Sequence, residues 1–212
     1  MEEAKKIILF DFDGTLAETM MLIYRIFNRL SRVYKYKPLS EEEIEEVRHL
    51  TIHEFVDYVK IAPWKIPIVA IHARRLMHAE IHTIQPPKGL PEVLTKIHES
   101  GRYKMDILTS NRRKNVLSFL KEHKMGWFDE VHATRSILSK KYRIKKYIKS
   151  EGILASDLYY VGDTSLDIES TRFSGANSVA VSWGLNTSAA LERANPDFLI
   201  KTPDQLLDVF PL

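Results

Sequence analysis

Short apolar runs without polar alternation recur along the chain, and each ends in a cluster of polar residues. Runs of this length, bounded by turn residues and separated by helix-like stretches, are typical of parallel strands that are covered on both faces. The pattern therefore predicts a parallel sheet whose strands end at one polar edge. The runs are IILF at 7–10, MDILTSN at 105–111, LYYVGD at 158–163 and SVAVSWG at 178–184.

Between these runs the apolar residues recur at helical spacing, and a glycine follows each stretch closely, as glycines do at helix C-termini. Strand and helix thus alternate along the chain. This alternation predicts a doubly wound, Rossmann-like α/β fold with its ligand crevice at the carboxyl ends of the strands. The helical stretches are 89–100, 112–123, 142–152 and 165–175, and the glycines are Gly101, Gly126, Gly152 and Gly175.

Residues 16–83 interrupt the alternation with three or four segments of helical apolar spacing. Ser40 followed by Glu41–Glu43 is a favourable helix start, because the acids lie near the positive end of the helix dipole. We expect an inserted all-helical domain over 16–83. The α/β core would then consist of residues 1–15 and 84–212.

The composition is that of an ordinary globular protein: 212 residues, 44% of them hydrophobic, with a formal net charge of +3. So small a charge does not predict a nucleic-acid surface. The sequence contains no cysteine, which excludes disulfides, thiolate metal sites and a cysteine nucleophile. The acidic start argues against a signal peptide, and no apolar run approaches the roughly 18 residues that span a membrane. We expect a cytoplasmic monomer with neither nucleic-acid nor membrane partners.

Two aspartates, Asp11 and Asp13, directly follow the first apolar run, and Gly14 allows a tight turn after them. In an extended segment residues i and i+2 point the same way, so both carboxylates can face one site. Two like charges this close repel each other. The repulsion favours either a bound cation or a proton on one of the two groups.

A second acidic pair, Asp163 and Asp167, follows another predicted strand. Asp163 lies just past the strand and Asp167 about one helical turn further on, so both can reach the same crevice. Taken alone, Asp163 can equally cap a helix or a turn. A ligand set made only of carboxylate oxygens suits a hard cation, most simply Mg²⁺.

Histidines are concentrated in the predicted insertion, and two pairs of them have i, i+4 spacing. Such a pair on a helix can bind a transition metal. Because no third ligand is identifiable, we interpret them as surface residues, of which one or two can face a substrate. The pairs are His49 with His53 and His78 with His82.

Three motifs together, DFDGTLAET, ILTSN and YVGDTSLDIESTRFSG, resemble the haloacid dehalogenase superfamily in its phosphatase branch with a helical cap. Within that branch the sequence is most similar to phosphoglycolate phosphatases. The resemblance covers nearly the whole chain and implies an enzyme, a Mg²⁺-dependent phosphoric monoester hydrolase. Its substrate would be a small-molecule phosphate ester of the phosphoglycolate or sugar phosphate type, hydrolysed through an aspartyl phosphate.

The resemblance also implies a role for each matching position. Asp11 would be the nucleophile, and Asp13 would be the general acid and then the base. Thr109 would bind the phosphoryl oxygens, and Lys140 would neutralise charge on the nucleophile and the phosphoryl group. The substrate-binding positions would be Gly14, Thr15, Ser110 and Asn111. Mg²⁺ would be held by Asp11, the main-chain carbonyl of Asp13, Asp163 and, directly or through another ligand, Asp167.

Some alternatives stay open. The active-site lysine is either Lys140 or Lys141, and we prefer Lys140 because Ile144 and Ile148 then continue one helical stripe. Asp13 argues against carbon–halogen cleavage, since the resemblance associates this second aspartate with phosphoryl transfer. The alternatives to a phosphatase are a phosphomutase or phosphonatase of the same fold, or a non-catalytic module that binds phosphorylated ligands.

Overall fold

One parallel sheet forms the centre of the protein, for which the computed structural model describes residues 5–134 and 139–212. Residues 1–4, at the start of the predicted core, and residues 135–138 lie outside the described residues. The sheet has six described strands in the order β3-β2-β1-β4-β5-β6. They are β1 (Lys6–Phe10), β2 (Tyr103–Thr109), β3 (Val131–Ala133), β4 (Leu158–Gly162), β5 (Asn177–Val181) and β6 (Phe198–Ile200).

Ten α-helices accompany the sheet within the described residues, and the first four, hereafter the inserted helices, follow β1 directly. Among the described residues, no helix combines the length and the apolar content that crossing a bilayer requires. The helices are α1 (Met20–Tyr34), α2 (Glu41–Val47), α3 (Ile52–Val59), α4 (Ile66–Glu80), α5 (Leu90–Glu99), α6 (Arg113–Glu122), α7 (Lys140–Glu151), α8 (Ser165–Ser174), α9 (Ser188–Arg193) and α10 (Leu206–Val209).

Both faces of the sheet are covered by helices. Successive side chains of a strand point to opposite faces, and in β1 this places Ile8 and Phe10 in an apolar cluster with residues of α5 and α6. Ile7 and Leu9 pack on the other face with Ile144 of α7. The predicted doubly wound, parallel α/β fold is therefore confirmed.

The predicted helical insertion is present and contains four helices. Two of them begin with capping boxes, in which Ser40 pairs with Glu43 and Thr51 pairs with Glu54. The segments that leave and rejoin the sheet run side by side, since the Glu18 N–H donates to the Gln85 carbonyl at 2.9 Å. Both connections to the inserted helices therefore lie at the carboxyl end of β1.

Two short strands, β3 and β6, were not predicted, because three residues are too few to show a hydrophobic pattern. The interpretation of Gly126 as a helix-terminal glycine was wrong. The left-handed residue after α6 is Lys124, with φ of 55°. The fully buried Met125 donates its N–H to the Leu120 carbonyl at 2.8 Å, which fixes the end of the helix before Gly126 is reached.

Candidate active site

The carboxyl ends of neighbouring parallel strands bring the predicted site residues together. Asp11 follows β1 and Asp163 follows β4, and these two strands pair directly. The Asp11 N–H continues that pairing by donating to the Val161 carbonyl at 2.8 Å. Lys140 opens α7 and Asp167 lies in the first turn of α8, so both helix starts point toward the same edge.

Lys140 joins two of these carboxylates. Its buried Nζ lies 2.7 Å from Asp11 Oδ2 and 2.6 Å from Asp167 Oδ1. Burial lowers the pKa of Lys140, but the two carboxylates raise it well above its ordinary value, so the ammonium stays charged. Lys141 points elsewhere, with its Nζ over the rings of Tyr142 and Phe173. Of the two candidate lysines, Lys140 is the one at the carboxylates.

A compact cluster of carboxylates lies beside Lys140. Asp11, Asp163 and Asp167 are all buried, and each offers one oxygen within 4.8 Å of the others. Burial raises the pKa of Asp11 to about 6, although Lys140 opposes the shift. Burial and the neighbouring carboxylates raise the pKa of Asp163 well above its ordinary value. The cluster therefore concentrates negative charge that a cation would stabilise.

The backbone around Asp163 is built for a closely packed carboxylate. A Cβ atom at Gly14, whose φ is +79°, would lie 2.0 Å from Asp163 Oδ2, and one at Gly184 would lie 2.2 Å from the same oxygen. That oxygen accepts the Leu185 N–H at 2.7 Å, and Oδ1 accepts the Thr15 hydroxyl at 3.2 Å. Because the only metal-ligand atoms that this cluster offers are carboxylate oxygens, these residues fit a hard cation such as Mg²⁺.

Asp13 lies outside this cluster, at the start of a tight turn in which the Gly14 N–H donates to the Ala17 carbonyl at 2.9 Å. Both carboxylate oxygens of Asp13 accept from Asn111 Nδ2, at 3.0 and 3.1 Å. Burial, and then the charge of Asp11, raise the pKa of Asp13 to about 7, while Asn111 opposes the shift. Asp13 is thus poised to carry or accept a proton near neutral pH.

A cavity of about 680 Å³ connects these groups to the inserted helices. Asp11, Asp13 and Asp163 line its sheet edge, together with Ser110 and Asn111. The opposite wall is mostly apolar and comes largely from α4. Its residues include Ile66, Pro67, Ala70, Ile71, Arg74 and Met77.

Three predicted substrate-binding or catalytic positions lie behind the cavity surface. Thr109 and Thr15 are buried, and neither lines the cavity. The Thr109 hydroxyl accepts the Asn111 N–H at 2.9 Å, and the Thr15 hydroxyl donates to Asp163. Gly14 is also buried, against Asp163. In this arrangement these residues shape the turn and the loop that carry the polar groups lining the cavity.

Two residues of the site, Arg74 and Asn115, were missed in the sequence, and His78 was named there without a partner or a role. Arg74 lines the cavity from α4, and His78, one turn later, contacts Asn115 of α6. Asn115 follows Asn111 by four residues, which is a weak signal, and its burial inside α6 is visible only in the structure. His78 belonged to a histidine pair whose partner, His82, is exposed.

Comparison with known proteins agrees with the geometry. A family model described as haloacid dehalogenase-like hydrolase matches residues 8–181. A phosphoglycolate phosphatase of Synechococcus elongatus is 31% identical over 201 residues, which cover 94% of each chain. Pyrophosphatase PpaX of Bacillus cereus is 26% identical over 210 residues, which cover 97% of this chain and 94% of PpaX.

The fold also resembles that of solved structures of predicted phosphatases. A solved structure of a predicted phosphatase from Clostridium acetobutylicum superposes with a TM-score of 0.81 at 17% identity, over 98% of each chain. Likeness at this identity speaks for the fold, whereas the family match and the 31% identical relative speak for the class of enzyme. The chain therefore belongs to the haloacid dehalogenase-like hydrolases, as its motifs predicted, and is an enzyme of the phosphatase type within that family.

Proposed function

We propose that the protein is a Mg²⁺-dependent phosphatase that hydrolyses a small phosphate monoester through an aspartyl phosphate on Asp11. The observation that carries the proposal is the placement of two carboxyl groups of different character at one cavity. Asp11 is paired with Lys140 beside a carboxylate cluster, whereas Asp13 is held by Asn111 and titrates near neutral pH.

In the first step an Asp11 oxygen attacks phosphorus, and the bond from phosphorus to the leaving oxygen breaks. Lys140 contacts Oδ2 of Asp11, so it orients the carboxylate and offsets charge that develops during attack. Asp13, when protonated, gives its proton to the leaving oxygen and remains in the site as a carboxylate.

In the second step Asp13 acts in the reverse sense. Its carboxylate takes a proton from water, the resulting hydroxide attacks phosphorus, and the bond to Asp11 breaks to release inorganic phosphate. Asp13 ends protonated and Asp11 ends ionised, so the enzyme returns to its starting state. A pKa of about 7 suits a group that must alternate between these two forms.

The metal site of this proposal consists of Asp11, the main-chain carbonyl of Asp13, and Asp163. Asp167 would support it through Lys140, which it contacts at 2.6 Å. When bound there, Mg²⁺ supplies Lewis-acid stabilisation of phosphoryl charge and shields an anionic nucleophile from an anionic substrate. The buried carboxylates and the glycines around Asp163 support this assignment.

Residues 16–83 would act as a cap over this site, separate from a core of 1–15 and 84–212. The apolar wall that α4 presents to the cavity supports such a role, because it excludes water from the phosphoryl group. The wall also bears on the alternatives. A phosphonatase needs a lysine that forms a Schiff base, and no lysine is among the described residues that line this cavity.

Within the phosphate ester class, Arg74 favours a leaving group that carries an acidic group. The wall from α4 offers few hydrogen-bonding partners for the hydroxyl groups of a sugar. Arg74 instead brings a positive charge, and with Arg112 it lines a second opening beside Ser110 and Asn111. The names of the two relatives, phosphoglycolate phosphatase and pyrophosphatase, point the same way, because both of those substrates have an anionic leaving group.

The test compares wild type and Asp11→Asn on p-nitrophenyl phosphate and a panel of small phosphate esters, with Mg²⁺ and with a chelator. Phosphate release should require Mg²⁺ and fall by at least about 10³-fold in Asp11→Asn, because the nucleophile is lost. Asp57→Asn, an exposed change on α3, is the matched control and should behave as wild type. Activity that survives in Asp11→Asn would contradict the assignment of the nucleophile.

A further inference from the structure

Asn115 is a buried amide whose position requires an explanation. It lies within α6 and its exposed fraction is 0%. Asparagine is a poor helix former, and burying an amide costs stability unless both of its ends are hydrogen bonded. A structural role alone would be served better by an apolar residue, so its hydrogen-bond partners are informative.

Both ends of Asn115 are satisfied, and together they connect α4 to Asp13. His78 Nδ1 of α4 lies 2.6 Å from Asn115 Oδ1. Asn115 Nδ2 donates to Asn111 Oδ1 at 2.9 Å, and Asn111 Nδ2 donates to both carboxylate oxygens of Asp13. A continuous chain of four side chains thus runs from an inserted helix to the proposed general acid.

The direction of every bond in this chain is fixed by one backbone group. Asn111 Oδ1 also accepts the Arg112 N–H at 2.7 Å, so the amide of Asn111 cannot be turned around without opposing two donors. Asn111 therefore donates to Asp13 and accepts from Asn115. Asn115 Oδ1 is then left as an acceptor, which requires His78 to carry its proton on Nδ1 and to donate it.

We propose that His78 is a positioning residue for Asp13, acting through Asn115 and Asn111, so that general-acid catalysis depends on the docking of α4 against α6. The proposal rests on the proposed function, in which Asp13 protonates the leaving group. All donors in the chain point toward Asp13, and His78 is half-buried at the junction of the two helices. Loss of the first donor frees the amide of Asn115 to turn, which loosens the bond that orients the Asp13 carboxyl group.

The experiment uses two substrates of similar shape, p-nitrophenyl phosphate and phenyl phosphate, whose leaving groups differ in their need for a proton. The variant His78→Leu should lose about tenfold in kcat on phenyl phosphate, a part of the roughly 10² to 10⁴ that general acid catalysis contributes. Its kcat on p-nitrophenyl phosphate should change less than about twofold, because p-nitrophenolate leaves readily without protonation.

Two companion variants separate positioning from packing. His78→Asn keeps an amide donor near the place of Nδ1 and should recover most of the rate on phenyl phosphate. His82→Leu changes an exposed histidine four residues away and should leave both rates unchanged. Thermal melting of each variant checks that it is folded.

A third variant, Asn115→Ala, interrupts the chain at its centre and keeps the test decisive if His78→Leu does not fold. It should show the same selective loss on phenyl phosphate. The double variant His78→Leu/Asn115→Ala should lose no more than Asn115→Ala alone, because both changes break one chain.

Equal losses on the two substrates, full activity of His78→Leu, or additive losses in the double variant would overturn the proposal for His78. Absence of phosphate release by wild type from both aryl phosphates and from every ester of the panel would instead contradict the proposed function. The two failures are thus distinguishable, because the first is measured in variants of an active enzyme.

Discussion

Lys140 carries the positive charge that offsets the negative charge of several neighbouring carboxylates. Asp11 and Asp167 contact its ammonium group directly, and Asp163 and Asp13 lie beside them. With all of these groups ionised, four negative charges surround the one positive charge of Lys140. Four carboxylates repel an approaching phosphate ester, which supports the proposal that a cation binds here together with the substrate.

Recognition of an acidic leaving group by the positive charge of Arg74 can be tested separately, with the variant Arg74→Gln. Arg74→Gln removes the cation that α4 contributes to the cavity. A charged hydrogen-bonded pair is worth about 1.5 to 3 kcal/mol, so kcat/KM for phosphoglycolate should fall by about 10- to 150-fold. For p-nitrophenyl phosphate, whose leaving group lacks a second acid, kcat/KM should change little. Steady-state kinetics on both substrates make the comparison.

Arg75→Gln is the matched control, since Arg75 is the next residue on α4 and its side chain is exposed. It should behave as wild type on both substrates. If Arg74→Gln lost equally on phosphoglycolate and p-nitrophenyl phosphate, the idea of an anionic leaving group would be wrong.

At the residue scale, the sequence predicted groups that directly follow a strand and missed groups that face the site across helices. Asp11, Asp13 and Asp163 could be chosen because strand patterns end immediately before them. His78 and Asn115 are 37 residues apart and meet only through the docking of α4 on α6. No local pattern encodes that contact, because it depends on the tertiary arrangement of the inserted helices.

At the element scale, the strongest patterns in the sequence were the central strands and the long amphipathic helices. β1, β2, β4 and β5 are largely buried on both faces and therefore appear as apolar runs, which in β2 are interrupted by Asp106. The edge strands β3 and β6 have three residues each, and their position depends on the strand beside them. The sheet could thus be predicted at its centre but not at its edges.

A loop after β5 links the inserted helices to the carboxylate cluster. Residues 184–187 of this loop accept and donate several hydrogen bonds with the turn that joins α2 to α3. Asn186 Nδ2 donates to the carbonyls of Arg48 and Leu50, at 2.9 and 3.3 Å. In the same loop, the Leu185 N–H donates to Asp163. The loop therefore holds both the helices and a predicted metal ligand.

Asn186→Ala should loosen the α2–α3 region. The change removes the bonds to Arg48 and Leu50 and also the acceptor of the Ser165 N–H, at a cost of about 1 to 3 kcal/mol. Amide hydrogen exchange should accelerate in α2 and α3 but not in α7. This measurement reports local opening, so it separates loosening of the inserted helices from loss of the whole fold.

Asn177→Ala is the control for this change. Asn177 Nδ2 also donates to two carbonyls, those of Ser156 and Leu158. Both lie at the start of β4, away from the inserted helices. Its removal should leave exchange in α2 and α3 unchanged. Equal exchange in α2 and α3 of Asn186→Ala and wild type would show that the loop does not hold the inserted helices.

For the whole molecule, the carboxylate cluster predicts how stability depends on pH and metal. In the metal-free protein, burial raises the pKa of Asp11 to about 6 and of Asp13 to about 7, and raises that of Asp163 well above its ordinary value. In the unfolded chain each group has a pKa of about 3.9. The folded state therefore binds more protons between about pH 4 and pH 7, and its stability falls as pH rises through that window.

Magnesium should reverse this loss, because binding to the folded state alone stabilises it by mass action. With a chelator, wild type should melt at a lower temperature at pH 8 than at pH 5, and Mg²⁺ should raise the melting temperature at pH 8. Asp163→Asn removes one buried charge while it keeps the shape of the side chain. Without metal it should therefore melt higher than wild type at pH 8, yet gain little from Mg²⁺. A gain from Mg²⁺ as large as that of wild type would contradict Asp163 as a ligand, and a chelated wild type that melts no lower at pH 8 than at pH 5 would contradict the charge argument itself.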